Sequence, residues 1–470
     1  MKLGKFASCC LALLTPTLFV FSDSSILDDF MKKEPQLFRF WSCLDIEQKG
    51  ILANEIEQLD SESIAKQKEL IQYPVFKPAK SLEAFEDFAF SGNQQDIEYG
   101  QRLIEQGRLG CLILAGGQGT RLKIQGPKGL YPISVIKNKT LFQLCAEKVA
   151  AASRLAGRPL NLAIMTSPEN DDETRAYFMQ NEYFGLSHDQ IYFCIQGTLP
   201  FLDVNGKLFL ETPSKICTGP DGNGHWLLSF LQSGIYHEWR RQGIDYLHVI
   251  LVDNPLADPF DPELIGFHSR QQVEITLKCT EKTRPDEKVG VLVKEDGQCA
   301  VVEYSELLDE EKQAKRSDGR LKHCCANLSL FCFSLSFVER MGLEGRTLPL
   351  HKAWKAARYV DEEGQSQMSI TPIAWKFETF IFDWLMYTDR VAALLYPREE
   401  CFAPLKNFEG LDSPNTVRKA LQENDRCIIK VLTGLPAPEF PFELAADFYY
   451  PTESLRTKWK GRAVTSDYVE

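Results

Sequence analysis

The stretch Gly110 to Pro132, GCLILAGGQGTRLKIQGPKGLYP, limits the fold of this chain more than any other. Its first apolar run, Cys111-Leu112-Ile113-Leu114, is too short for a helix and long enough for a buried strand. Gly116, Gly117 and Gly119 follow, and they let the backbone turn sharply and approach a ligand with no Cβ in the way. Arg121 comes next, and Pro127 stiffens the approach to Lys128. A strand feeding a loop of bare N–H groups flanked by two cations is an anion site, and a polyphosphate suits it. Spacing excludes two familiar phosphate loops. A P-loop needs a Gly-Lys-Ser/Thr frame that is missing here, and the dinucleotide fingerprint needs a third glycine where Leu122 stands.

From Leu109 onward, strand and helix patterns alternate. Helices are expected over Leu141–Leu155, Glu169–Asn181, Trp226–Arg240 and Pro262–Arg270. Strands are expected over Leu160–Met165, Gln190–Ile195, Tyr246–Val252 and Val273–Lys278. This alternation predicts an α/β fold with a doubly wound sheet, whose ligands lie beyond the carboxyl ends of the strands. Gly117, Gln196 and Asp253 each fall at or just past such an end. Residues 26–108 read as a helical N-terminal domain, with apolar and acidic positions at helical spacing. After residue 390 the alternation fades and proline-rich segments appear, so 109–390 is the expected central domain and 391–470 a small C-terminal one.

The net charge of −12 argues against a broad nucleic-acid surface, yet a few local cations are enough to hold a phosphate chain. The fourteen cysteines form no C-x-x-C pair, and the seven histidines form no metal-ligand spacing. Thiols scattered in this way suit a reduced compartment, and the expected location is cytoplasmic. Residues 1–25 stand apart: Lys2 and Lys5 precede an uncharged run from Phe6 to Ser22. The run has the outline of an export signal or membrane segment, although Pro16 interrupts it and no A-x-A cleavage site follows. A buried helix or an overlong start are the other readings.

LAGGQGTRL followed by PKGLY resembles the eukaryotic-type UDP-sugar pyrophosphorylase family, and within it the UDP-N-acetylglucosamine branch. The match runs from about residue 108 to 420 and is specific in its blocks. It implies a mixed, Rossmann-like sheet of the nucleotide-diphospho-sugar transferase type and a nucleotidyltransferase activity in 109–390. It implies that Leu114, Ala115, Gly116 and Gly117 line the nucleotide, with Gln196 and Gly222 reading the uracil. Arg121, Lys128 and Lys406, the last in Pro404-Leu405-Lys406, are the implied phosphate-binding cations. Asn223, Gly290, Glu303, Asn327, Phe380 and Phe382 fall where the family faces the sugar. Two departures stand out: Lys123 replaces the usual glycine after Thr-Arg-Leu, and His225 replaces a second glycine.

Asp253 ends the most apolar strand, and a carboxylate there stays ionised only with a partner. Mg²⁺ (or Mn²⁺) bridging phosphate oxygens would supply one, since Mg²⁺ commonly uses one or two carboxylates plus substrate phosphates. The expected reaction joins UTP and N-acetylglucosamine 1-phosphate into UDP-N-acetylglucosamine and pyrophosphate. Transfer to another hexose 1-phosphate (glucose, N-acetylgalactosamine) is the first alternative. A nucleotide-sugar-dependent glycosyltransferase would usually carry D-x-D, which Val252-Asp253-Asn254-Pro255 does not. A non-catalytic sensor would have no use for Arg121, Lys128 and Asp253 together.

Overall fold

The computed structural model describes residues 24–73 and 81–470. The run from Phe6 to Ser22, and nearly all of the 1–25 segment, lies outside the described residues. The chain divides into two compact units. The first takes the described residues up to 73, Pro200–Gly219 and Lys352–Lys376; the second takes the described residues to Leu199, Pro220–His351 and Phe377–Glu470.

The first unit contains helices α1 (Ser24–Lys33), α2 (Ile46–Glu57) and α3 (Ser61–Gln72). Asp45 starts α2 with a capping box: its carboxylate accepts the Gln48 amide at 2.8 Å, and Gln48 Oε1 accepts the Asp45 amide at 3.1 Å. Two small hairpins also belong to it, Leu210–Thr212 with Lys215–Ile216 and Arg358–Val360 with Ser366–Met368. Each of the site residues expected from the sequence belongs to the second unit.

The second unit is built on an eleven-stranded mixed sheet. In chain order its strands are β1 (Leu82–Ala84), β2 (Phe88–Phe90), β3 (Leu109–Leu114), β4 (Leu162–Thr166), β5 (Ile191–Ile195) and β6 (Tyr246–Leu251). They continue with β7 (Ile275–Glu281), β8 (Val291–Glu295), β9 (Gln298–Val302), β10 (Cys325–Ser334) and β11 (Val391–Tyr396). The main path runs β2-β11-β7-β10-β6-β3-β4-β5, with β8 joined to β10, β9 and β1. β6, β3, β4 and β5 are parallel, whereas β10 runs against both β6 and β7.

Every residue of β3 is buried because both faces are covered. Cys111 and Ile113 join one core with α5 (Leu141–Ala156), α6 (Asp171–Gln180) and α9 (Pro262–Gln271); Leu112 and Leu114 join the other with α7 (Trp226–Gln232) and α8 (Ile235–Arg241). Thr140 caps α5 by accepting the Gln143 amide at 3.1 Å, and Gly157 closes it in a left-handed conformation at φ 67°. α4 (Gln94–Glu105) crosses α9 so closely that a Cβ on Gly100 would lie 1.7 Å from the Pro262 carbonyl oxygen.

Three local expectations change. The single helix expected over Trp226–Arg240 is two, because Gly234 adopts φ 80° between α7 and α8. The span 26–108 is not all helical: β1 and β2 each have three residues, too few to show a period of two, and they join the large sheet. The drop in alternation after 390 hides β11, an apolar run buried in that sheet. Farther on, α10 (Pro414–Thr433) buries Val417 and Leu421 in the core shared with β3. Residues 391–470 therefore add a small core of their own around Phe442, Leu444 and Phe448 while also packing on the sheet. No described helix is long and apolar enough to cross a membrane.

Candidate active site

β3, β5 and β6 are parallel, so the segments after Leu114, Ile195 and Leu251 emerge along one edge of the sheet. β10 runs the other way, and its first residues, Cys325 to Asn327, start at that same edge. The loop after β3 leaves the sheet with its first groups committed. The Leu114 carbonyl accepts the Val252 amide at 3.2 Å, and the Ala115 amide donates to the Met165 carbonyl at 2.8 Å. Asn170 Nδ2 donates to the Ala115 carbonyl at 3.1 Å. Among the described residues no hydrogen bond holds the amide of Gly116 or Gly117. A Cβ on Gly117 would have nothing within 4 Å. Behind them the loop is closed by the Lys128 amide, which donates to the Gly117 carbonyl at 3.1 Å. A closed neck with two uncommitted amides is a nest for an anion.

Gln196 is buried at the end of β5, and its side chain lies against Gly116, where a Cβ would come within 2.6 Å of its carboxamide. Gly116 thus serves close approach as well as turning. The Asp221 amide donates to the Gly197 carbonyl at 3.1 Å, which brings the Pro220–Gly224 turn beside Gln196. Gly222 holds φ 95°, and a Cβ there would lie 2.2 Å from the Thr379 carbonyl oxygen. His225 is tied to Asp221: its Nδ1 hydrogen-bonds to Asp221 Oδ2, while Asp221 Oδ1 is buried with no partner among the described residues.

At the end of β6, Lys128 Nζ donates to Asp253 Oδ2 at 2.8 Å, with the two side chains 12% and 13% exposed. Asp253 Oδ1 is buried with no partner among the described residues. The Leu405 amide donates to the Asp253 carbonyl at 2.8 Å, so Lys406 is carried next to this strand end. Asn254 fixes the same segment, donating from Nδ2 to the Cys401 carbonyl at 2.8 Å and accepting the Ala403 amide at 3.0 Å. Arg121 stands outside this contact, exposed on the short turn Thr120–Leu122, with no hydrogen bond or ion pair among the described residues.

Gly290, Glu303 and Asn327 come together at the start of β10. The Asn327 amide donates to the Gly290 carbonyl at 2.9 Å, and a Cβ on Gly290 would lie 3.0 Å from Glu303 Oε1. Burial, and then the Glu306 carboxylate, push the Glu303 carboxyl above its ordinary value, while Lys406 and His351 pull it back. Phe380 is extended and Phe382 lies in the 3₁₀ turn that follows, so their rings stack with centroids 5.2 Å apart. Asn223 Oδ1 accepts the Ile381 amide at 3.0 Å and fixes that turn.

His351 and Asp383 were not foreseen. The His351 ring lies 4.6 Å from Phe380, and its Nε2–H donates to Asp383 Oδ2 at 2.9 Å, which also accepts the Phe380 amide at 3.2 Å. A single histidine with no metal spacing and no periodic neighbour carries no local signal. Neither does the role of Asp221 in holding Gly197. Among the described residues no group of three or more His, Cys, Asp or Glu is placed to hold a metal ion. Asp253, with one unpartnered buried oxygen, still fits an ion whose other ligands are phosphate oxygens and water.

A family model described as "UTP--glucose-1-phosphate uridylyltransferase" matches residues 37–415. The human "UDP-N-acetylhexosamine pyrophosphorylase-like protein 1" is 37% identical over 333 residues, 69% of this chain and 66% of that protein. The "UDP-N-acetylglucosamine pyrophosphorylase" of Saccharomyces cerevisiae is 32% identical over 456 residues, 91% of this chain and 95% of that protein. Among solved structures, the uridine diphosphate N-acetylglucosamine pyrophosphorylase of Trypanosoma brucei, in complex with inhibitor, superposes with a TM-score of 0.75. It covers 93% of this chain and 95% of its own, and at 24% identity the likeness speaks for the fold.

Proposed function

The chain belongs to the UTP--glucose-1-phosphate uridylyltransferase family, and on that premise we propose that it transfers a uridylyl group from UTP to N-acetylglucosamine 1-phosphate, giving UDP-N-acetylglucosamine and pyrophosphate. One observation carries the reading. The anion loop, the Asp253 carboxylate and the Lys406 segment meet at one strand end, through Lys128 Nζ to Asp253 Oδ2 and the Leu405 amide to the Asp253 carbonyl, both at 2.8 Å.

An oxygen of the sugar phosphate attacks the α-phosphorus of UTP. The bond from that phosphorus to the bridging oxygen breaks, and pyrophosphate leaves with the electron pair. The nucleophile is already ionised, so no general base is needed. Bringing two polyanions together is the main electrostatic cost, and catalysis is alignment with charge neutralisation. The Gly116 and Gly117 amides, Arg121 and Lys128 hold the triphosphate, and Lys406 holds the sugar phosphate. Lys128 has three donors, so its bond to Asp253 leaves two for phosphate oxygens. Asp253 would hold Mg²⁺ (or Mn²⁺), which when bound supplies positive charge at the α-phosphate. Gln196 and Gly222 form the uracil wall. Glu303, Asn327 and Asn223 face the hexose, and Phe380 and Phe382 meet the acetamido methyl. A UTP-consuming enzyme belongs with the cytosolic UTP pool, so we assign it to the cytoplasm.

The test is pyrophosphate release from UTP with N-acetylglucosamine, N-acetylgalactosamine and glucose 1-phosphates at saturating Mg²⁺. Glucose 1-phosphate leaves one polar contact unmatched and the methyl site empty. The N-acetylated sugar is expected to lead it by about 30- to 1000-fold in kcat/KM. A preference for glucose 1-phosphate would reject the sugar assignment and keep the transfer chemistry. No release with any sugar phosphate would reject both.

A further inference from the structure

Lys123 stands where the resembled family has glycine, and its backbone is left-handed, with φ 59° and ψ 28°. A residue with a Cβ adopts that conformation only against a steric penalty, so contacts elsewhere must hold it. Its backbone amide donates to the Thr120 carbonyl at 3.1 Å, and its Nζ stands 3.9 Å above the centroid of the Phe408 ring. That is within cation–π range. Phe408 lies in the turn 406–412, two residues after Lys406. The base of this turn is closed by the amides of Lys406 and Asn407, which donate to the Asp412 carbonyl at 2.7 and 3.0 Å. Just before the turn, the Leu405 amide is bound to the Asp253 carbonyl. The outer part has little burial to hold it, with Phe408 40% and Leu411 83% exposed.

We propose that Lys123 and Phe408 form a clasp that seats the Lys406 turn against the anion loop, which makes Lys123 a positioning residue for the sugar phosphate. This rests on the reading of Lys406 given above. The turn is fastened at its base to the strand end at Asp253 and farther out to the loop that holds the triphosphate. The Lys123 ammonium is engaged by the ring and is not a ligand of UTP. The strained backbone at Lys123 is what delivers the side chain to Phe408.

The experiment compares Lys123→Gly, Lys123→Arg, Phe408→Leu, the Lys123→Gly/Phe408→Leu double variant and Lys406→Ala in steady-state kinetics and amide hydrogen exchange. Glycine accepts the left-handed conformation freely, so Lys123→Gly is expected to fold. Lys123→Gly and Phe408→Leu should each raise KM for N-acetylglucosamine 1-phosphate about three- to tenfold, with KM for UTP and kcat moving less than about twofold. The double variant should be no worse than the worse single, and Lys123→Arg should stay near wild type because guanidinium also stacks on aromatic faces. Exchange at residues 406–412 should quicken in both single variants. Additive effects, or a rise confined to KM for UTP, would overturn the clasp. If Lys406→Ala raises KM for the sugar phosphate while the clasp variants do not, the clasp alone falls. If Lys406→Ala leaves that KM unchanged, the reading of Lys406 falls and exchange at 406–412 decides the clasp.

Discussion

Lys128 and Asp253 face each other in a place that would be costly for either charge alone, since each side chain is mostly buried. Asp253→Asn keeps the shape and still offers Lys128 an amide oxygen, but it removes the negative charge. The expected outcome is a fall in kcat on the order of 10²- to 10³-fold, with a stability loss of only about 1–3 kcal/mol. Kinetics at saturating substrates and Mg²⁺, paired with urea unfolding, separate the two effects. Activity within about threefold of wild type would remove this carboxylate from the chemistry. Gly116 makes a second point at this scale. Its glycine identity is set by the Gln196 side chain against it, a contact across 80 positions that no local rule describes.

Helices α4 and α9 show how one element constrains another. They cross at a pair of glycines: a Cβ on Gly266 would lie 1.9 Å from the Asp96 carbonyl oxygen, and one on Gly100 lies no better against Pro262. Both obstacles are helix backbone, which cannot move aside as a side chain would. Gly266→Ala is therefore expected to destabilise the protein by about 3 kcal/mol or more. Denaturant unfolding checks this, and a change below about 1 kcal/mol would mean the crossing is softer than the geometry implies. α9 itself is locally well specified, with Asp261 as cap accepting the Leu264 amide at 3.1 Å and Pro262 in the first turn.

Stability against pH is a property of the whole molecule, and two kinds of buried group pull it in opposite directions. Burial depresses His248 to about 4 and His268 to about 3. Both are neutral in the fold, and the unfolded chain takes up their protons below about 6.5. Their contribution is complete above that pH and is lost as pH falls toward 4 for His248 and 3 for His268, at about 1.4 kcal/mol per proton for each pH unit. Asp425 acts the other way. Burial raises it to about 7, despite hydrogen bonds from Tyr449 Oη at 2.6 Å and the Leu444 amide at 3.1 Å. The fold holds its proton where the unfolded chain has released it, so its contribution is present near pH 4 and is lost as pH rises through 7. Asp425→Asn should be more stable than wild type at pH 8, with the advantage shrinking to none by pH 5. Urea unfolding at the two values decides it, and a pH-independent difference would rule out Asp425 as the source.

What the sequence determined by itself is local. The apolar run Cys111–Leu114 leading into a glycine-rich loop, the helices over 141–155 and 262–270, and an Asp at the end of the most apolar strand all follow from burial period and backbone preference over a few neighbours. That β3, β4, β5 and β6 run parallel follows from the same alternation, but their order in the sheet does not. Tertiary structure decided which of these ends meet. Lys128 reaches Asp253 across 125 positions because β3 and β6 are neighbours in the sheet. His351 meets Phe380 and Asp383, and Lys123 meets Phe408, only once those segments are packed. The first unit is likewise assembled from three stretches separated in the chain. Periodicity and dihedral preference act over a few residues, whereas these contacts depend on strand order and on loops closing over long separations. The chemistry of each site residue was therefore legible before its partner was.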